Sequence, residues 1–369
     1  MRADTSRRAG SPWARARVAI RLGLVATAIL VVLGVLEVVL RLRPTLLGYA
    51  YANGALSRYT VRSGGIYYRD RNLRMNFMIP NFQTTMYANG YVWHHQTDAL
   101  GFRNASLHIP ADVVLLGDSL VYGQGVDFED TLGNRLEERS GLRVVNLGLQ
   151  GDCAFQEAYR LTAYIDVFAP RFVVYVFTPN DIEDLYVYLS DAAMEAFIAQ
   201  PVERIRYPER VPPDVALRER EEMIRRRPFW KRVEEQSYVF KMGRFIQYLW
   251  RQAGLGAGVE VATAAPSAGR RVDRSQVRVD PTSLGWRYTD HAVAYMAYLS
   301  RRHNARLFVV PSTGGRQFEI LREIAQRHGA SFVDTTEFLS GPAFLPNDGH
   351  FSPEGARRLA ATIARALER

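Results

Sequence analysis

Four short blocks of the chain carry residue types suited to acyl transfer: Gly117-Asp118-Ser119-Leu120, Asn146-Leu147-Gly148-Leu149-Gln150-Gly151, Pro179-Asn180-Asp181 and Asn347-Asp348-Gly349-His350. A serine hydroxyl is a weak nucleophile until an adjacent base takes its proton. His350 can be that base, and the base needs a group that holds its ring in one tautomer. Asp348 stands two residues before it. In an extended or turn segment, side chains at i and i+2 point the same way, whereas on a helix they do not face each other. Gly349 between the two and Pro346 nearby favour a turn. A tetrahedral intermediate also needs donors for its oxyanion. The backbone N–H groups of Ser119 and Gly151 and the side chain of Asn180 can supply three.

Other reactive residue types have plainer readings. Asp118 fixes the turn before the serine, and Asp181 caps a helix. His94 and His95, in Tyr-Val-Trp-His-His, read as part of a half-buried strand. Asp290-His291 falls on a helix, where neighbours diverge. Asp334 ends a strand and bonds backbone. Cys153 is the one cysteine of the chain. It reads as a small buried thiol, and it excludes an intrachain disulfide and a thiolate zinc cage. Thr313 and Gly314 follow a strand and are candidates for substrate binding. Nothing in these blocks calls for a metal or a cofactor.

The elements that must position the blocks are short apolar runs alternating with helical stretches. The runs are 112–117, 143–148, 172–177, 306–310 and a weaker 331–334; the helices fall near 129–140, 154–168, 285–303 and 316–328. That alternation predicts βαβ units and a parallel five-stranded sheet. Each block follows a strand, and sites in open α/β sheets form at the strands' carboxyl ends. A last helix starts at Ser352-Pro353-Glu354, with a capping serine and a proline in the first turn. Leu359, Ile363 and Leu367 form its core stripe.

Four such blocks in this order resemble the SGNH/GDSL hydrolase superfamily. Ser119 matches the family nucleophile, Gly151 the second-block glycine, Asn180 the third-block asparagine, and Asp348 with His350 the last block. Two departures stand: Pro179 occupies a common glycine position, and one residue separates Asp348 from His350 where many members have two. Membrane-anchored bacterial members and the alginate O-acetylation proteins look similar in this spacing. The resemblance covers roughly 111–189 and 285–369. It implies a flavodoxin-like three-layer αβα sandwich, no metal, and esterase or acyltransferase chemistry.

The 369 residues carry 47 Lys plus Arg against 38 Asp plus Glu, a net charge of +9. Residues 1–43 hold eight arginines against Asp4 and Glu37, so the body beyond them is nearly neutral. That is a poor nucleic-acid footprint. It suits a membrane anchor instead. Leu22 to Leu40 is apolar apart from Glu37, which is read as tolerated near the membrane surface, and its length just spans a hydrocarbon core. The arginine excess ahead of it places the N-terminus in the cytoplasm and the rest in the periplasm or outside. The expected organisation is a basic tail (1–17), a transmembrane anchor (18–40) and a membrane-proximal extension (41–110). A hydrolase domain (111–189 and 285–369) comes next, interrupted by a helical insertion (190–284). The insertion is Arg/Glu-laced, with a basic stretch at 225–232 read as a solvated helix end and an Ala/Gly/Ser loop from Ala253 to about Gly269.

The expectation is a membrane-anchored serine esterase working through an acyl-serine on an acyl ester, such as an acetylated envelope polysaccharide or a lipid. Two alternatives stand: an O-acyltransferase modifying an exported polysaccharide, or a non-catalytic glycan-binding or assembly module. Partners are the ester substrate and, through the anchor, the membrane; nucleic acid is not expected, and the sequence names no protein partner.

Overall fold

A computed structural model describes residues 12–56, 65–252, 277–340 and 342–369. Part of the basic tail and the loop from Ala253 to Gly269 lie outside the described residues. The chain forms two compact units, one built from the N-terminal residues to Leu56 together with the segment that begins at Arg227, the other from the rest. The boundary runs through both the membrane-proximal extension and the helical insertion. Residues 44–56 and 227–252 go with the anchor; 65–110 and the earlier helices of the insertion go with the sheet.

In the larger unit two antiparallel hairpins come first. β1 (Tyr67–Arg69) pairs with β2 (Asn76–Met78), and β3 (Gln83–Ala88) with β4 (Tyr91–Gln96). Asn89 and Gly90 make the second turn, both at positive φ, the backbone a two-residue hairpin turn requires. His94 is exposed and His95 buried on β4, as period-2 alternation demands.

The central sheet contains β5 (Val113–Leu116), β6 (Val144–Asn146), β7 (Phe172–Phe177), β8 (Arg306–Pro311) and β9 (Ser331–Phe332). All four pairings are parallel, in the order β6-β5-β7-β8-β9. Counted within the sheet this is 2-1-3-4-5, the flavodoxin-like doubly wound order. The strands are continuous apolar runs because both faces are covered. Val114, Leu116, Val173, Tyr175 and Val309 pack on one side with the helices Ala154–Phe168 and Leu284–Arg302. Val113, Leu115, Val174, Val176 and Val310 pack on the other with Leu132–Ser140 and Pro353–Leu367. Three layers result. Leu359, Ile363 and Leu367 are buried, and the Ser352 hydroxyl accepts from Gly355 N at 2.9 Å.

The smaller unit is organised around the helix Pro12–Leu42, whose stretch Ala16–Leu42 is long and apolar enough to cross a membrane. Glu37 corrects the sequence reading. Far from being merely tolerated, its carboxylate accepts hydrogen bonds from Ser237 Oγ (2.8 Å), Tyr238 N (3.1 Å) and Val239 N (2.9 Å), and from Arg41 Nε (2.8 Å). It caps the start of the helix Tyr238–Gln252 from outside that helix. The basic stretch 225–232 is paired with acids within each unit: Arg225 and Arg226 with Glu222, Arg227 with Glu235, and Lys231 with Glu234.

Candidate active site

The helix Ser119–Tyr122 begins where β5 ends. The Asp118 carboxylate ties the turn by accepting from Leu120 N (2.9 Å) and the Thr178 hydroxyl (2.9 Å). The second block supports this turn from beneath. Asn146 Nδ2 donates to Val121 O at 2.7 Å, and a Cβ on Gly148 would stand 2.6 Å from Tyr122 N. Only a glycine lets the two segments approach so closely.

His350 arrives from the far end of the chain. Leu345 N donates to His350 O (2.8 Å) and Asp348 N to Leu345 O (3.1 Å). Asn347 takes φ +60, which closes a tight loop. Within it Asp348 Oδ1 accepts from His350 N (3.1 Å) and contacts the ring at Nδ1. The other ring nitrogen, Nε2, lies 2.8 Å from Ser119 Oγ. Serine, histidine and aspartate thus form one hydrogen-bonded line between segments 231 positions apart. Burial pushes the Asp348 carboxyl up. The His350 ring, the Asn89 amide and the His350 N–H outweigh it, so the carboxyl stays below its ordinary value and remains a charged acceptor.

The three oxyanion candidates have different surroundings. Ser119 is the first residue of its helix, a position whose N–H has no intrahelical acceptor. Gly151 sits in the left-handed region at φ +76, where an added Cβ would lie 3.2 Å from the Tyr188 hydroxyl. The Asn180 amide donates to Asp184 at 2.8 Å and reaches Asp118 at 3.4 Å, so one of its two hydrogens is firmly held and the other weakly. Thr313 and Gly314 lie just past the carboxyl end of β8, beside the start of the helix Gly315–Arg327. Thr313 Oγ1 contacts Gln317 Oε1 at 3.4 Å, and Gln317 Nε2 donates to Pro179 O at 3.4 Å, which ties that loop to the Asn180 block.

Several residues at the site escaped the sequence reading. Asn89, at the β3–β4 turn, donates to Asp348 Oδ2 at 3.1 Å, and the Tyr91 hydroxyl donates to Pro346 O at 2.8 Å. The Asn-Gly turn signal is present in the sequence, but nothing local says what its tip touches. Gln124 stands 3.3 Å from His350 Nδ1 and accepts from Gln150 Nε2 at 3.2 Å; Gln150 in turn contacts the Tyr67 hydroxyl. Arg103 is buried, and its guanidinium donates to the carbonyls of Tyr122, Gly123, His94 and Val126. It stitches the segment after the serine helix to β4.

Beneath the site lies a second group the sequence did not disclose. Asp181 is not a cap: it is buried one residue past the N-cap Asn180, and its Oδ2 accepts from Thr178 N at 2.9 Å. Glu157 is fully buried. Burial, and then the charges of neighbouring carboxylates, raise both acids well above their ordinary values. Asp152, also buried and paired with Arg160, is pushed up to about 6 by burial against the arginine's pull. Cys153 is buried, and desolvation raises its thiol, which removes it as a nucleophile. His95 is buried against the Tyr122 hydroxyl (2.8 Å), and burial lowers it to about 3. Asp290 is engaged by Arg327 and His328, so it makes no pair with His291. Asp334 accepts from Thr336 N. Among the described residues no group of three or more His, Cys, Asp or Glu is arranged to hold a metal.

The sheet order, with all four blocks gathered at its carboxyl edge, is the fold that the SGNH/GDSL resemblance implies. No protein-family model matches the chain. No curated protein matches it. Among solved structures it is similar to TesA, at 13% identity and a TM-score of 0.38, over 69% of this chain and 97% of that one. It is similar to a lipolytic protein of the G-D-S-L family from Desulfitobacterium hafniense, at 14% and 0.36 over 69% and 98%. It is also similar to an acetylxylan esterase from Geobacillus stearothermophilus, at 13% and 0.35 over 71% and 96%.

Proposed function

We propose that the chain is a membrane-anchored serine esterase of the SGNH/GDSL type. Its sheet unit would face the periplasm or the exterior and act on O-acetyl or other acyl esters of envelope glycans or lipids. The observation that carries the reading is the line from Ser119 Oγ through His350 to Asp348, with 2.8 Å between Oγ and Nε2. Such a line is what nucleophile activation needs, and binding alone does not need it.

Ser119 Oγ attacks the ester carbonyl while Nε2 takes its proton. Asp348, held anionic, orients the ring and stabilises the imidazolium that forms. The backbone N–H groups of Ser119 and Gly151 and the less firmly held hydrogen of the Asn180 amide receive the oxyanion. His350 returns the proton to the leaving alkoxide, an acyl-serine remains, and water activated by the same base releases the acid. The long apolar N-terminal helix supports anchoring, and the arginines ahead of it support an N-terminus in the cytoplasm.

The test is turnover of para-nitrophenyl acetate by the full chain in detergent. Wild type is expected to release nitrophenol and acetate, and Ser119→Ala to lose roughly a thousandfold or more in kcat. Equal turnover by Ser119→Ala overturns the proposal.

A further inference from the structure

Among the described residues, half of an apolar stripe on the helix Tyr238–Gln252 is without a partner. Its first two turns pack Tyr238, Val239, Met242 and Phe245 against Leu36, Leu40, Tyr51 and Ala55 of the anchor unit. The same face continues at helical spacing through Ile246, Leu249 and Trp250, which are 44%, 46% and 64% exposed. The opposite side carries Arg244, Gln247 and Arg251 with the exposed Phe240 among them, while Lys241 turns toward the packed side and donates to Ala55 O at 2.6 Å. Its described part, 15 residues, is roughly 22 Å long. An apolar side bearing a tryptophan opposite a cationic side is the composition of a helix that lies in the plane of a membrane surface.

Its start is tied to the anchor helix. Glu37, the carboxylate that caps this helix, lies five residues before the end of the anchor helix at Leu42. The cap thus ties the start of the helix to the last turns of the anchor helix.

We propose that Tyr238–Gln252 is an interfacial membrane helix. Ile246, Leu249 and Trp250 seat in the leaflet at the C-terminal end of the anchor, the cationic side faces the headgroups, and Glu37 pins the helix start. The proposal rests on the anchor reading of Pro12–Leu42. Its occupant is lipid; a docked protein is the competing outcome. The covered half of the stripe is continuous with the side of a helix that itself belongs in lipid.

The test uses the full chain in vesicles of phosphatidylcholine and phosphatidylglycerol, with Cys153→Ala as background. A polarity-sensitive fluorophore is attached at Leu249→Cys, Arg244→Cys or Leu30→Cys. Lipids spin-labelled near the headgroup should quench the Leu249 probe at least about twofold more than the Arg244 probe. Iodide in the water should quench in the reverse order. Lipids spin-labelled at mid-chain should quench the Leu30 probe, which reports the anchor alone. If the Leu30 probe passes but the Leu249 probe is open to iodide, the interfacial helix is wrong. If the Leu249 probe is shielded from both quenchers, the stripe is covered by protein and the proposal is again wrong. If the Leu30 probe fails, the anchor reading falls first. Glu37→Ala should reduce lipid quenching at Leu249 while leaving Leu30 unchanged; an unaltered Leu249 signal removes Glu37 from the account.

Discussion

Asp348 takes hydrogen bonds from partners far apart in sequence, the His350 ring and the Asn89 amide. With the carboxyl kept below its ordinary value, it is a charged acceptor throughout the neutral range. Asp348→Asn should lower kcat by about 10²–10⁴-fold with KM little changed, because an amide can hold the wrong tautomer. Asn89→Ala removes one of three hydrogen-bond partners of Asp348 and should cost about tenfold or less, again in kcat. Acetate release at saturating ester reads both; an Asp348→Asn enzyme as fast as wild type would remove the aspartate from the mechanism. Glu157 has a different signature. Its pKa is raised in the fold above the ordinary 4.5. Its contribution to stability is therefore complete below that value and is lost as pH rises through the raised one. The melting temperature of Glu157→Gln relative to wild type should climb as pH increases from about 4.5. A pH-independent difference would mean that the carboxyl ionises normally. His95, lowered to about 3 from 6.5, acts in the opposite sense and weakens the fold as pH falls through that interval.

The site stands on the junctions between strands and the turns and helices after them. The β6 block was legible in the sequence as a candidate donor at Gly151, but its larger structural part is to brace the serine turn. Asn146 holds Val121 O, and Gly148 admits Tyr122 N. Gly148→Ala inserts a methyl at 2.6 Å from that nitrogen. It should cost about 1–3 kcal/mol and displace Ser119. Denaturant midpoints and kcat should fall together; a stable, fully active Gly148→Ala would show that the turn does not need this approach. Strand positions and helix limits came directly from apolar runs and caps: β7 is the run 172–177 itself, and the helix Ala154–Phe168 matches its expected bounds. The contacts of Asn89, Arg103 and Gln124 were not legible. Each joins its target through a tertiary approach over a sequence gap that carries no periodic signal. Asp181 misled for a related reason: an acid at a helix start reads as a cap, and burial shows only when the layers close over it.

At the scale of the whole molecule, composition separates a basic, apolar N-terminus from a nearly neutral body, and the structure separates two units along a different line. The insertion reads in sequence as one unit of three Arg/Glu-laced helical segments, around 191–199, 214–227 and 230–252, because nothing in their pattern divides them. Its later helices belong with the anchor because Glu37, Leu40 and Tyr51 supply the cap and the apolar contacts they lack by themselves. The larger unit keeps its site on a sheet whose two faces are fully covered, so the four blocks are held by packing rather than by loops alone. Everything proposed about function turns on whether Ser119 is an activated nucleophile. The most direct measurement is reaction of the full chain with a fluorophosphonate, with intact mass and peptide mapping as the readout. The expected product is one phosphonyl adduct on the peptide carrying Ser119, absent in Ser119→Ala and formed much more slowly in His350→Ala. No adduct on a folded chain, or the same adduct in Ser119→Ala, would contradict an activated Ser119.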